Sequence, residues 1–127
     1  MAIFTHVTVG TNDLAKAREF YDAVLAPLGI KRLKDFGDGG SCWGATTEEF
    51  MVLKPADGKS ASVANGGTIS FEAPSRAAVA AFHEAALARG AKDEGPVGPR
   101  GFWPNAYAGY CRDLDGNKLA VYCRKAE

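Results

Sequence analysis

The stretch His6–Leu25, HVTVGTNDLAKAREFYDAVL, decides the fold because a second stretch of the chain repeats its pattern. Thr68–Leu87 reads TISFEAPSRAAVAAFHEAAL, and the two stretches align without a gap. Apolar positions coincide in the alignment, as where Phe20 falls on Phe82. A repeat of this kind indicates two copies of one structural unit.

Each copy is predicted to form a strand, a helix cap and a helix, because its apolar residues alternate at first and then recur at helical spacing. Asn12 or Asp13 can cap the first helix and Ser75 the second. Gly29 and Gly90 are placed to end the two helices. The predicted apolar stripes are Leu14, Ala17, Tyr21, Val24 and Leu25 in the first helix, and Val79, Phe82, Ala86 and Leu87 in the second.

Shorter β segments follow each helix. The expected segments are about Ile30–Phe36, Cys42–Thr46 and Phe50–Lys54 in the first copy, and Tyr107–Arg112 and Lys118–Arg124 in the second, preceded by an irregular Gly/Pro-rich stretch through Arg100. Asp115-Gly116 is a turn signal between the last two strands. The sequence therefore predicts one α+β domain over residues 1–127, made of two tandem βαβββ modules in a curved, mostly antiparallel mixed sheet. The modules span about 1–54 and 68–127, with a linker at 55–67, and they must share a core because each is too small to fold alone.

Composition excludes several classes of function. The 15 basic residues balance 15 acidic ones, which predicts no nucleic-acid partner and no membrane surface. There is no apolar run of membrane-span length and no signal peptide pattern at the N-terminus, so we expect a cytoplasmic protein. Cys42, Cys111 and Cys123 match neither a metal pattern nor a disulfide framework, and we expect them to be reduced and structural.

Polar side chains on strands that should be central predict a cavity between the modules. The residues predicted on that side are His6, Thr8, Thr68, Ser70 and Glu72 in the opening strands, and Phe50, Val52, Lys54, Ala120 and Tyr122 in the last strand of each module. Such a mixed lining is typical of a small-molecule site. The loop carrying Arg100, Trp103 and Tyr107 could bind an anionic or planar ligand, or it could cover a sheet edge or a dimer seam.

These modules resemble the vicinal-oxygen-chelate superfamily, which comprises glyoxalases, bleomycin resistance proteins and extradiol dioxygenases. The resemblance rests on His6 in the first strand, Phe20-Tyr21 in the first helix, Leu28-Gly29 after it, and the second-half segments FHEAALARGAKDEGPVGPR and RDLDGNKL. The second half is similar to a glyoxalase-like subgroup of small bacterial proteins. The resemblance implies a cup that holds a divalent metal, and a homodimer.

The resemblance also implies where metal ligands would lie. The corresponding positions here are His6, Val52, Thr68 and Ala120, of which only His6 is a competent ligand. A divalent ion needs three or four donors, so we expect no metal cofactor, and Zn, Ni, Mn or Fe in an altered site is the less favoured alternative. His6 could otherwise be a catalytic acid or base, a hydrogen-bonding residue of the cavity, or a structural histidine.

Two classes of function remain open. The first is a metal-free protein that binds a small molecule in the cup, in the manner of bleomycin resistance proteins. The second is a glyoxalase-type lyase or isomerase with an altered metal site or none. His83 shares the apolar side of its helix, so we expect it to be a packed residue and not a catalytic one.

Overall fold

A computed structural model describes residues 3–127, so Met1 and Ala2 of the predicted first module lie outside the described residues. The elements run in the order β1 (Val7–Gly10), α1 (Leu14–Leu25), a 3₁₀ turn (Ala26–Leu28), β2 (Lys31–Asp35), β3 (Gly40–Gly44), β4 (Phe50–Leu53), β5 (Ile69–Glu72), α2 (Arg76–Ala88), β6 (Lys92–Pro99), β7 (Tyr107–Arg112) and β8 (Lys118–Cys123). The predicted pair of βαβββ modules is confirmed. No helix among these residues is both long and apolar enough to cross a membrane.

The helix boundaries follow from local hydrogen bonds. Asp13 caps α1 by accepting from the Lys16 amide, and Ser75 caps α2 by accepting from the Ala78 amide. Gly29 ends the 3₁₀ turn at φ +77°, a left-handed conformation that glycine adopts without a steric penalty. The α1 stripe is buried as predicted, but Leu87 of α2 is 39% exposed, so the predicted α2 stripe is buried only at Val79, Phe82 and Ala86.

Each module forms its own four-stranded mixed sheet. The strand orders are β1-β4-β3-β2 and β5-β8-β7-β6, with one parallel pair and two antiparallel pairs in each. Strand β6 corrects a prediction, since the Gly/Pro-rich stretch before Arg100 is an eight-residue strand. It tolerates proline because it lies at the sheet edge, and two register shifts, after Asp93 and after Gly95, accommodate its irregular backbone.

The strand register corrects a second prediction. Val7 pairs with Phe50 and Val9 with Val52 in the parallel β1–β4 ladder, and paired residues point to the same face. Phe50 and Val52 are therefore buried in the core with the helices, and the predicted cup-side set Phe50, Val52 and Lys54 is wrong by one residue. Met51 and Leu53 take that side instead.

One hydrophobic core joins the modules. An aromatic series crosses it, with ring centroids 4.9 Å apart for Tyr21 and Phe50, 5.1 Å for Phe50 and Phe71, and 5.7 Å for Phe71 and Phe82. Both helices contribute to the same cluster. The modules thus share their core, as their size requires.

The turn between β7 and β8 ties the second module to the first. The buried Asp113 carboxylate accepts hydrogen bonds from the Tyr21 hydroxyl of α1 and from the Asn117 side chain at 2.9 Å. The same Asn117 amide group donates to the Gly10 carbonyl at 3.0 Å, and the Asn12 backbone amide donates to Asp115 at 2.8 Å. The RDLDGN segment is thus an inter-module clamp.

Candidate functional site

The cup-side face of the second module is set by its register. Ser70 of β5 pairs with Ala120 of β8, and Ala120 pairs with Tyr110 of β7. Leu119, Val121 and Cys123 alternate with these residues and belong to the core. The face away from the core therefore carries Thr68, Ser70, Glu72, Ala108, Tyr110, Arg112, Lys118, Ala120 and Tyr122.

Two tyrosines cover Ala120. Tyr110 lies directly across from Ala120, Tyr122 lies two residues further along β8, and their hydroxyl groups contact each other. The rings meet edge to face, with centroids 5.8 Å apart at 89°. Ala120 pairs with Tyr110, and Ala108 pairs with Tyr122. Both alanines are fully buried, and their small side chains leave room for the two rings. Burial and contact with the Tyr110 hydroxyl raise the pKa of Tyr122 to about 12, so Tyr122 is a neutral phenol at physiological pH.

Cations surround this tyrosine pair. The Arg100 guanidinium lies 5.5 Å and the Lys118 ammonium 5.4 Å from the centroid of the Tyr110 ring. Arg100 is held in place because it donates to the Pro96 carbonyl at 2.7 Å and the Gly98 carbonyl at 2.9 Å. Its positive charge therefore stays beside the tyrosines, although most of its N–H donors are used within its own loop.

A tryptophan extends the aromatic surface. The Trp103 ring lies 5.7 Å from the Tyr122 ring and is 51% exposed. The Arg124 guanidinium lies over Trp103 at 5.6 Å and approaches the Glu72 carboxylate at 3.4 Å. Glu72 and Arg124 thus border both this surface and the junction between the modules.

A cleft of about 760 Å³ opens at the junction of β1 and β5. Its lining includes His6, Ser70, Glu72 and Arg124, together with the exposed apolar side chain of Phe4. His6 Nδ1 is 3.0 Å from the Thr5 hydroxyl, and its ring is exposed to solvent. Thr8 and Thr68 line a separate depression of about 190 Å³ nearer the linker.

The structure brings only part of the predicted set together. His6, Ser70 and Glu72 share the junction cleft. Arg100, Trp103, Ala120 and Tyr122 gather around Tyr110. Tyr107 lies on the opposite face of β7, packed against the core and beneath the Arg76 guanidinium at 5.0 Å. Ligand binding by these residues stays a prediction.

Sequence reasoning missed Tyr110 and Lys118. The sequence nevertheless indicates Tyr110, because an antiparallel hairpin closed at Asp115-Gly116 places Tyr110 across from Ala120. Lys118 precedes Ala120 by two residues and so faces the same way.

The donor set does not fit a divalent ion. Among the four positions where the resemblance implies ligands, Val52 is in the core, Ala120 has no donor atom and Thr68 offers only a hydroxyl. Among residues 3–127, no three His, Cys, Asp or Glu side chains are grouped to hold a metal. One imidazole does not supply the three or four ligands that such ions require.

The other candidate groups are packed within the second module and the core. His83 is buried, and its Nε2 lies 3.2 Å from both the Asp93 carboxylate and the Tyr110 carbonyl. It therefore holds α2 against β6 and β7. The three cysteines are buried and unbonded to one another, and burial raises the pKa of the Cys111 thiol to about 12, with the Asp113 and Asp93 charges adding to the effect.

Comparison with known proteins agrees with the fold. The sequence profile of the Glyoxalase/Bleomycin resistance protein/Dioxygenase superfamily matches residues 3–121. A glyoxalase/bleomycin resistance protein from Albidiferax ferrireducens T118 is 36% identical, with a TM-score of 0.87 over 98% of this chain and 100% of that one. No curated protein matches the sequence significantly.

More distant structures share the fold alone. A lactoylglutathione lyase from Agrobacterium tumefaciens is 22% identical, with a TM-score of 0.64 over 97% of this chain and 94% of that one. A fosfomycin resistance protein from Mesorhizobium loti is 14% identical, with a TM-score of 0.68 over 98% and 94%. With duplicated modules, a shared core and a profile match over nearly its whole length, the chain belongs to the glyoxalase/bleomycin resistance protein/dioxygenase superfamily.

Proposed function

We propose that this chain binds a small molecule in the cup and that its divalent-metal site is degenerate. The observation that carries the proposal is the burial of Ala120 beneath Tyr110 and Tyr122. The resemblance implies a metal ligand at this position, yet the side chain has no donor, and two phenol rings occupy the space above it. Phenol groups bind organic molecules and hold metals poorly, which supports the proposal.

The cleft at the junction of the two modules also supports a small organic ligand. The junction cleft has a volume of about 760 Å³, within the range of small-molecule sites. It combines apolar side chains with Ser70, Glu72 and Arg124, and such a mixture gives both affinity and orientation. In this proposal His6 is a hydrogen-bonding residue at the edge of the cleft, beside Thr5.

We also propose that the protein is a homodimer, and a cytoplasmic location stays a prediction. Ile3 is 90% and Phe4 67% exposed at the rim of the junction cleft. Apolar side chains so exposed are favoured positions for contact with a second subunit. Light scattering coupled to size-exclusion chromatography tests this, and a mass of one chain at micromolar concentration would reject it.

Restoring the missing donors tests the function. In Thr68→His with Ala120→Glu, two new donors join the native His6, which is enough for a three-ligand site. Without metal, Glu at the buried position 120 must displace the tyrosines, and we expect a loss of about 1–3 kcal/mol in stability. Zinc should offset part of that loss by binding the folded state.

Calorimetric titration with zinc and with nickel measures the outcome. We expect no stoichiometric binding to the wild type and measurable binding to the folded double variant. Stoichiometric binding by the wild type, at a site lost in His6→Gln, would reject the degenerate site and favour the lyase or isomerase alternative. A folded double variant that binds no metal would mean that these positions do not face one cup.

A further inference from the structure

Two positive charges lie beside the Tyr110 ring without a direct ion pair among the described residues, although Lys118 is close enough to Glu94 to help lower the pKa of that carboxyl group. Arg100 and Lys118 both lie within 5.5 Å of its centroid. By contrast, two neighbouring arginines have carboxylate partners: Arg112 pairs with Glu94 at 2.7 Å, and Arg124 approaches Glu72 at 3.4 Å. Among residues 3–127, neither Arg100 nor Lys118 has a carboxylate oxygen within 4.0 Å. The surface over the tyrosines is therefore left with positive potential, which a bound anion would relieve.

The hydroxyl groups can also bind an anion. Tyr110 and Tyr122 together carry two O–H hydrogens, and their mutual contact uses one of them. The second hydrogen is left to donate outward. The pKa of Tyr122 is raised to about 12, first by burial, so the Tyr122 hydroxyl stays protonated at neutral pH. Ser70 adds an exposed hydroxyl on the same face, directly across from Ala120.

A partly exposed aromatic ring borders these donors and offers a surface to a planar ligand. The Trp103, Tyr110 and Tyr122 rings, which we call the aromatic platform, meet at 75° and 89° in successive pairs. Trp103 is half exposed, so part of its surface is open to a ligand. The absence of a side chain at Gly95 contributes to this packing, because a Cβ there would come within 3.2 Å of the Tyr110 ring and 3.5 Å of Arg100.

We propose that the aromatic platform is a binding site for the carboxylate of a planar aromatic molecule, with Lys118 as its counter-charge and the tyrosine hydroxyls as hydrogen-bond donors. The inference rests on the proposed function and names a class of ligand for the cup-facing surface of the second module. The three rings are not among the residues that line the junction cleft. Cationic side chains on this surface thereby supply the positive charge that a metal ion would otherwise bring to the cup. Lys118 is assigned this role because the Arg100 guanidinium already donates to three carbonyl groups of its own loop.

Benzoate and benzyl alcohol are suitable probes because they have similar shapes and differ in charge. In NMR titrations of the ¹⁵N-labelled wild type, we expect benzoate to bind in the millimolar range and to shift the amides of Ser70, Ala120 and Tyr122. Benzyl alcohol should bind about tenfold more weakly, since one charge-assisted hydrogen bond contributes about that factor. Added salt should weaken only the benzoate complex.

Two matched variants locate the effect. Lys118→Gln removes the charge while retaining a polar side chain, and it should weaken benzoate binding about tenfold without changing that of benzyl alcohol. Lys31→Gln removes an exposed lysine from β2 of the other module and should change neither. The double variant Tyr110→Phe with Tyr122→Phe should also weaken benzoate binding, because it removes both hydroxyl donors.

The opposite results would overturn the inference. Equal affinity for the two probes, equal effects of the two lysine variants, shifts confined to other surfaces, or no binding of benzoate would each do so. If the neutral probe binds in the cup without any charge preference, the proposed function stands and the inference fails. Stoichiometric zinc binding by the wild type would instead reject the proposed function.

Discussion

The Tyr21–Asp113 hydrogen bond makes the strongest stability prediction, because it is buried and links the two modules. Tyr21 is 1% and Asp113 6% exposed. Besides the Tyr21 hydroxyl, the carboxylate accepts from the Asn117 side chain and from the backbone amides of Asp115 and Asn117 at 2.8–2.9 Å. Tyr21→Phe preserves the ring and removes one of these four donors, which leaves a buried charge less well satisfied.

We expect Tyr21→Phe to lower the free energy of unfolding by about 2 kcal/mol, since hydrogen bonds to charged groups contribute roughly 1.5–3 kcal/mol. Burial, followed by the nearby Asp113 charge, raises the pKa of Tyr21 well above its ordinary value, so the donor stays protonated and the effect persists across neutral pH. Urea unfolding monitored by circular dichroism measures it. The control is Tyr107→Phe, whose hydroxyl has no hydrogen-bond partner among residues 3–127. A loss below about 0.5 kcal/mol in Tyr21→Phe, or an equal loss in the control, would refute the clamp.

Two further predictions concern the backbone and the thiols. Gly116→Ala should lower the free energy of unfolding in urea by about 1–3 kcal/mol, because Gly116 has φ +89° and a Cβ would approach Val63 Cγ1 to 3.1 Å. The control Gly101→Ala should be nearly neutral, because Gly101 has no positive φ and a Cβ there would meet open space. A similar cost for both would contradict this. The pKa of the Cys111 thiol is ordinarily 9.0, and burial holds it near 12 in the folded protein. Because the unfolded chain loses this proton at lower pH than the folded chain, the free energy of unfolding should fall as pH rises from 9 towards 12. Urea unfolding of Cys111→Ala should show a weaker fall over that range, and an unchanged pH dependence would count against the assignment.

Most of the fold could be predicted from the sequence because local rules and tertiary packing agree there. The repeat, the Asp13 and Ser75 caps and the α1 stripe all follow from short-range patterns, and each is confirmed. Strand β6 was missed because Gly and Pro usually break strands, whereas an edge position with two register shifts tolerates them. The face of β4 was misassigned because a four-residue apolar strand alternates too weakly to fix its register, and only pairing Phe50 with Val7 decides it.

The candidate site was harder to predict. Alternation along β8 correctly separated Ala120 from the core face, but it could not show what covers Ala120. The cover comes from Tyr110 across the hairpin, and the charge comes from Arg100 on a loop whose conformation depends on its own carbonyl groups. Such contacts join residues distant in sequence, so periodicity alone carries no information about them.

The metal content of the purified protein tests the central claim most directly. Among the four implied ligand positions, only His6 carries a competent metal ligand. We therefore expect protein purified without a polyhistidine tag to contain far less than one equivalent of zinc, nickel, manganese or iron, as measured by elemental mass spectrometry. Its fold by circular dichroism should survive prolonged dialysis against a chelator. One equivalent of any of these metals, retained through dialysis and lost in His6→Gln, would contradict the account.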